Sequence, residues 1–269
     1  MALTFTRSGS GAPLVLLHGI GSARQAWDPV VDQLSERFEV LAIDLPGFGG
    51  SPPLPPGVEP QPSAIAAAVA AFLDHQGVAT PHVAGNSLGG WVALELAAIR
   101  PIQSLTLLSP AGLWHRRTPL YNRISLRTTR ALARRFTALA RRLVRYPAGR
   151  VVILGQTHGN PARISIAYAD MAVRAMADCP GFEATIKATE PRCYRARAPI
   201  DAPVTVAFGS RDLLLLPHQS RHLGELPPGT HVAELAGCGH VPMADRPVAV
   251  AALITAATER ARPSQPSPS

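Results

Sequence analysis

The sequence predicts an α/β fold: a doubly wound, mostly parallel sheet with an all-helical cap inserted into it. Three observations carry this. Short, continuously apolar runs alternate with stretches of helical periodicity, as in a parallel sheet covered by helices on both faces. The alternation stops after Gly112, resumes near Ile200, and reads as helix in between. That middle stretch also differs in charge: sixteen arginines and one lysine face four acids, a net +13 in a chain whose total is +8.

The elements follow in order. The strand "PLVLLHG" from Pro13 comes first, then a helix over 23–37 and the strand "FEVLAIDLPG" from Phe38. A helix over 63–76 has Ser63 as N-cap and Gly77 as its stop. The strand "PHVAGNS" leads directly into a helix over 87–99, and "SLTLLSPAG" follows from Ser104. The insertion is read as helices over 119–146, 162–178 and 182–189. "APVTVAFGS", a helix over 218–223, "THVAELAG" and a helix over 245–260 complete the pattern. The core is thus assigned to 1–111 and 201–262, the cap to 112–200, and the Pro/Ser-rich segment 263–269 to a disordered tail.

Size and composition bound the function. A chain of 269 residues with 46% hydrophobic and 16% charged residues buries a large core. No apolar run reaches the roughly 18 residues of a membrane span. The N-terminus lacks a basic start, apolar block and small-residue cleavage site, so a cytoplasmic protein is expected. Cys179, Cys193 and Cys238 are odd in number and irregularly spaced, which speaks for free thiols rather than a disulfide framework or zinc site. No metal or nucleotide motif is present, and no cofactor is expected.

The chemistry is concentrated at Gly85-Asn86-Ser87-Leu88-Gly89, a G-x-S-x-G pattern between a predicted strand and a predicted helix. That context lifts a serine hydroxyl off the end of a sheet on a tight turn, with small residues on either side to avoid clashes. A serine hydroxyl needs a base oriented by an acid, in the chain order Ser, acid, His. Asp212 follows the strand "VTVAFGS", and His240 follows "VAELAG"; both loops fall at the carboxyl ends of strands, where α/β sheets build their sites. Asp245 comes after the histidine, Asp201 precedes its strand, and Asp44 in "DLPGFGGS" is read as a loop-structuring residue. Backbone N–H groups of Leu88 and of Ile20 in "LLHGIG" are the candidates for an oxyanion hole. His18 is read as fixing that loop. Ile20, Asn86 and Val241 are candidates for lining the substrate pocket.

Together "HGIG", "DLPGFGGS", "GNSLGGWVALELA", "FGSRD" and "GCGH" resemble the α/β-hydrolase superfamily across nearly the whole core, with only the cap unmatched. The resemblance implies Ser87 as nucleophile, Asp212 as acid and His240 as base, in a serine hydrolase of carboxylic esters or thioesters of small to medium size. Its dehalogenase and epoxide-hydrolase branches need a carboxylate where Ser87 stands. "GNSLGG" also resembles carbon–carbon hydrolases acting on anionic ring-fission products, but that group carries a tryptophan after the histidine, and here Val241-Pro242-Met243 follows. A non-hydrolytic binding protein on the same fold is the third reading. The single "HGIG", in place of the glycine run of many lipases, points to small esters rather than lipids.

In the cap, Arg123, Arg127, Arg130, Arg134, Arg141 and Arg145 fall on one face of the long predicted helix, and Leu132, Phe136, Leu139 and Leu143 on the other. The expectation is a solvated basic face with the apolar face packed on the core. Steering of an anionic small-molecule ester, or weak contact with an acidic membrane surface, are the functional alternatives. No nucleic-acid partner is expected, because no binding module accompanies the charge.

Overall fold

The computed structural model describes residues 2–261, and the predicted tail at 263–269 lies outside the described residues. Seven strands form one sheet in the order β1-β3-β2-β4-β5-β6-β7. They are β1 (Phe5–Ser8), β2 (Ala12–Leu17), β3 (Phe38–Ile43), β4 (His82–Asn86), β5 (Ser104–Leu108), β6 (Val204–Gly209) and β7 (His231–Leu235). Only β1 runs antiparallel, pairing with β3 at one edge; the other pairs are parallel. Each strand of continuous apolar sequence therefore has two buried faces to fill. Val15, Leu17, Leu41, Ile43, Val83 and Leu105 point to one core, and Leu14, Leu16, Val40, Ala42 and Ala84 to the other.

Helices α2 (Pro62–His75) and α3 (Leu88–Ala97) cover the first face through Ile65, Val69, Phe72 and Val92. On the second face, α1 (Asp28–Ser35) and α11 (Pro247–Glu259) contribute Val30, Leu34, Val250 and Ile254, with Trp27 from the turn before α1. Helix α2 begins one residue early: Pro62 takes the first turn, where its missing N–H costs nothing, and Gln61 rather than Ser63 is the N-cap. Gly77 follows its end at φ 72°. The helix expected over 218–223 is only α9 (Pro217–Ser220) and a 3₁₀ turn (Leu223–Glu225), because His222 N–H is drawn away to Leu113 O at 3.0 Å. A one-turn helix, α10 (Pro242–Asp245), precedes α11, and Pro247 keeps Arg246 between them out of helical backbone, at φ −144° and ψ 71°.

Between β5 and β6 the chain is helical: α4 (Leu120–Arg135), α5 (Thr137–Leu143), α6 (Pro147–Leu154), α7 (Ile166–Ala177) and α8 (Phe182–Thr189). The long helix expected over 119–146 is broken at Phe136 (φ −124°, ψ 29°), where Thr137 Oγ1 donates back to the carbonyls of Ala133 and Arg134. Helix α7 starts at Ile166 rather than 162, because Ser165 caps it by accepting from Tyr168 N–H at 3.2 Å. Helix α6 was missing from the sequence reading. Its "PAGRVVIL" is too short for periodicity to speak. Helices α5, α6 and α7 share a small core of their own built on Val144, Leu154, Tyr168 and Val173, whereas Phe182 and Ile186 of α8 belong to the main core.

The apolar face of α4 and α5 is not packed on the core as expected, and the first half of the basic face is turned to acids, whereas Arg134, Arg141 and Arg145 stay exposed. Glu183 of α8 and Glu190, which caps its end, lie against the basic face: Arg123 Nε is 3.1 Å from Glu190, Arg127 also pairs with Glu190, and Arg130 Nη1 is 3.6 Å from Glu183. Arg130 is buried, donates to Cys179 O at 3.1 Å and lies over the Phe182 ring. Leu132, Phe136, Leu139 and Leu143 are exposed instead of packed on the core. Two of the four acids in the insertion thus recruit the arginines inward and leave the apolar face outside. Arg141 is likewise paired, with Asp170 at 2.6 Å. All three cysteines are free.

The junction of β4 and α3 generates a stability prediction. A Cβ at Gly89 would stand 2.1 Å from Leu17 O, and one at Gly85 would stand 2.3 Å from Gly89 O. Gly89→Ala should therefore lower the Tm sharply or prevent soluble expression. Gly224→Ala, where a Cβ meets nothing within 4 Å, should stay within about 0.5 kcal/mol of the parent in chemical denaturation.

Candidate active site

Ser87 sits between β4 and α3 with φ 54° and ψ −118°, a conformation rare for any residue with a side chain. Close packing holds it there. Its N–H donates to Leu108 O at 3.1 Å, and its carbonyl accepts from Gly90, Trp91 and Ala111 N–H at 3.0, 3.2 and 2.9 Å. Gly85 and Gly89 give the helix start the room to abut the strands. The hydroxyl stands at the N-terminus of α3, where partial positive charge collects.

The sheet brings Asp212 and His240, 28 residues apart, to the same end as Ser87. The loop after β6 carries Asp212 and the loop after β7 carries His240, and His240 Nδ1 lies 2.9 Å from Asp212 Oδ2. Asp212 Oδ1 accepts from Leu214 and Leu215 N–H at 2.9 and 2.8 Å. Burial pushes the Asp212 carboxyl up. The His240 imidazole beside it and those two N–H groups outweigh burial and hold it below its ordinary value. An ionised Asp212 fixes the proton on Nδ1 of His240, leaving Nε2 as the basic nitrogen. That Nε2 is buried and has no hydrogen-bond partner among the described residues. It and Ser87 line the same cavity.

The loop after β2 faces Ser87 closely; a Cβ at Gly19 would stand 3.1 Å from Ser87 Cβ. His18 fixes it. Its Nε2 accepts from Leu45 N–H at 3.0 Å, so Nδ1 carries the proton and donates to Gly19 O at 2.7 Å. Burial lowers the His18 pKa and keeps the ring neutral. Asp44 gathers the next loop around its carboxylate, accepting from Arg24 N–H at 2.6 Å and Gly50 N–H at 2.9 Å. Neither Ile20 N–H nor Leu88 N–H is engaged in a hydrogen bond among the described residues, and both flank Ser87.

Of the residues expected to line the pocket, Ile20 and Val241 do so. Asn86 does too, but its amide is already spent. Nδ2 donates to Leu108 O at 3.0 Å and to His240 O at 2.9 Å, tying the histidine loop to the serine strand. Two further residues, His158 and Tyr168, are not singled out by the sequence, and Asp245, weighed there only as an acid for the histidine, has a different role. Asp245 accepts from Gly239 N–H at 2.7 Å and from Gly159 and Asn160 N–H at 2.8 and 3.1 Å, so it clamps the cap to the histidine loop rather than orienting the His240 ring. Its partners are backbone groups, two of them on a segment 85 and 86 residues away, which leave no sequence signal. His158 and Tyr168, from the cap, help close the cavity and belong to no motif. Burial drives the His158 pKa down to about 4 against the attraction of Asp245, so the ring is neutral near pH 7.

The cavity above Ser87 encloses about 430 Å³. Its floor is the sheet end; its walls are cap residues such as Leu126, Leu139, Leu154, Met171 and Met176. Among the described residues, no Arg, Lys, Asp or Glu lines it.

Residues 14–253 match the alpha/beta hydrolase family. The chain belongs to that family. Among curated relatives, an epoxide hydrolase (EphH) of Mycobacterium tuberculosis is 31% identical over 196 residues, covering 71% of this chain and 92% of that protein. A pimeloyl-[acyl-carrier protein] methyl ester esterase of Aeromonas hydrophila is 41% identical over 112 residues, 42% of each chain, so this chain matches less than half of that esterase's length. Among solved structures, a thermophilic esterase from Thermogutta terrifontis superposes with a TM-score of 0.76 at 21% identity, over 97% of this chain and 94% of the other. That likeness speaks to the α/β-hydrolase fold, to which the sheet and its flanking helices conform.

Two predictions arise from the anchors around this hydrolase site. Asn86→Asp keeps the size of the side chain but turns a carboxylate oxygen toward the carbonyls of Leu108 and His240. It should cost about 2–4 kcal/mol in urea denaturation and lower kcat on any substrate the chain turns over. His158 is protonated near pH 4 when folded and near 6.5 when unfolded. Unfolding therefore takes up a proton in this window, and stability falls as pH drops from 6.5 toward 4, by at most roughly 3 kcal/mol. His158→Gln should flatten that part of a Tm-versus-pH profile; an unchanged slope would place the acid sensitivity elsewhere.

Proposed function

We propose that this chain is a serine hydrolase that cleaves carboxylic esters or thioesters with an apolar acyl group, through an acyl-enzyme. The observation that carries the reading is Ser87 on its tight turn beside the 2.9 Å Asp212–His240 pair, under a cavity without charged side chains. Ser87 Oγ attacks the acyl carbon while His240 Nε2 takes its proton, and ionised Asp212 stabilises the imidazolium that forms. The N–H groups of Ile20 and Leu88 receive the oxyanion. Collapse expels the alcohol or thiol, protonated by His240. A water activated by the same nitrogen then attacks the acyl-enzyme and releases the acid.

The ester relative from Aeromonas supports the bond class. Epoxide opening, the reaction named for the Mycobacterium relative, suits a serine poorly. The product would be an alkyl ether of Ser87, which has no carbonyl for water to attack. A carbon–carbon hydrolase working on anionic substrates would need a cation near the serine. The cap arginines that suggested one, Arg123, Arg127 and Arg130, are bound to Glu190 and Glu183 away from the cavity. A cavity of about 430 Å³ also extends the acyl range beyond the small esters that "HGIG" pointed to.

The test is a panel of aryl esters of increasing acyl length run beside a vinylogous diketone acid. Turnover should rise from acetate to medium-chain esters and be weak on the diketone acid. Ser87→Ala should lose about a thousandfold or more in kcat with the fold retained, and Asp212→Asn a comparable amount. An organophosphonate should add once, at Ser87. Preference for the diketone acid, or full activity in Ser87→Ala, would overturn the assignment.

A further inference from the structure

Residues 131–152 form the outer tip of the cap: the end of α4, α5, the turn after it and most of α6. This stretch contains no acidic residue. Val144 and Ala140 are buried in the cap core, but most of its larger apolar side chains point out of the molecule. Val152 is 79% exposed, Tyr146 62%, Leu132 54%, Leu139 53% and Phe136 46%. Exposed apolar residues gathered this closely mark a contact surface.

Six arginines lie in this stretch: Arg141 is paired with Asp170, Arg150 is buried on carbonyls, and Arg134, like the three that follow, is exposed with no carboxylate partner among the described residues. Arg135, Arg142 and Arg145 are exposed, and none pairs with a carboxylate among the described residues, unlike Arg123, Arg127 and Arg141 on the paired side. On α5, Leu139, Arg142 and Leu143 lie three and four residues apart and so share a face. Arg135 lies over the Phe136 ring, 5.2 Å from its centre.

Leu132, Phe136, Leu139, Leu143 and Val152 are exposed and at the same time line the cavity above Ser87. The exposed tip is therefore the rim of the cavity mouth. No helix among the described residues is long and apolar enough to cross a membrane, so contact with a bilayer would be at its surface.

We propose that this tip docks on an anionic phospholipid surface, with the cavity mouth turned toward the acyl chains. Apolar side chains interleaved with unpaired arginines match the headgroup boundary, where Tyr and Leu enter the acyl region and Arg meets lipid phosphate. A second copy of the chain is the wrong charge: two such tips would bring unpaired arginines together. Docking would admit an apolar ester directly from the bilayer to Ser87 without passage through water.

The experiment uses Ser87→Ala protein, so that vesicle lipid is not hydrolysed and binding is read independently of the catalytic reading. Co-sedimentation is measured with vesicles of phosphatidylglycerol and phosphatidylcholine in equal parts and with phosphatidylcholine alone. Binding is expected only to the anionic vesicles, weakening with salt. Arg135→Gln, Arg142→Gln and Arg145→Gln together should weaken it about 100-fold, since each cation near such a surface contributes roughly 1 kcal/mol. Tyr146→Ser with Val151→Ser should weaken it as well. In the active background, both sets should leave turnover of a soluble short-chain ester unchanged, which reports an intact fold. No sedimentation with anionic vesicles at low salt, or equal binding by the arginine variant, would overturn the proposal. So would a concentration-dependent dimer abolished by Tyr146→Ser and Val151→Ser, or capture of an acidic protein in place of vesicles.

Discussion

The backbone of Ser87, held at positive φ between β4 and α3, is the constraint around which the rest of this molecule is arranged. Such a conformation costs on the order of 1–3 kcal/mol at a non-glycine residue and persists only where its surroundings over-determine it. Here they do. Three N–H groups converge on the Ser87 carbonyl, and the sheet end closes beneath it. Gly85 and Gly89 allow the α3 start to approach β2 and β4 to distances that no Cβ would tolerate. The strain and the close packing have one result, a hydroxyl raised off the sheet at a helix N-terminus.

The other half of the site depends on buried polar groups that find partners. The carboxylate of Asp212 would be costly to bury alone; two backbone N–H groups and the His240 ring compensate it. Asn86 and Asp245 then hold the histidine loop from two sides, one from the serine strand and one from the cap. Because each anchor bridges separate segments, disturbing the cap loop at 157–160 would be felt at His240. Val241 N–H, which donates to Thr157 O at 2.9 Å, is a further link of this kind.

The cap follows a different logic. Helix α8 is joined to the main core by Phe182 and Ile186, and its acids hold the basic face of α4. Helices α5 to α7 have only a small core of their own, so much of their apolar surface is left to line the cavity or to face outward. A segment with few buried apolar contacts opens at lower free energy than the sheet beneath it. The cap walls of the cavity over Ser87 are therefore also the part of the molecule least tied to the main core.

The sequence by itself determined the sheet, the helical insertion and the serine turn. Those features are written locally: apolar runs for strands, G-x-S-x-G for the turn, and a positive φ at Gly77 where a helix was expected to stop. The order Ser87, Asp212, His240 was legible because parallel strands deliver successive loops to the same end of a sheet. Tertiary structure alone decided which way the cap faces. A 3.6-residue period separates Arg123, Arg127 and Arg130 from Leu132 and Leu139, but carries no information about what lies opposite each side. Glu183 and Glu190, some sixty residues further on, settled that by bringing charge partners to the arginines. The shortened helix after Pro217 and the clamp of Asp245 have the same origin. In each, a hydrogen bond or contact outside the regular helical pattern outweighs a local preference of a few tenths of a kcal/mol per residue.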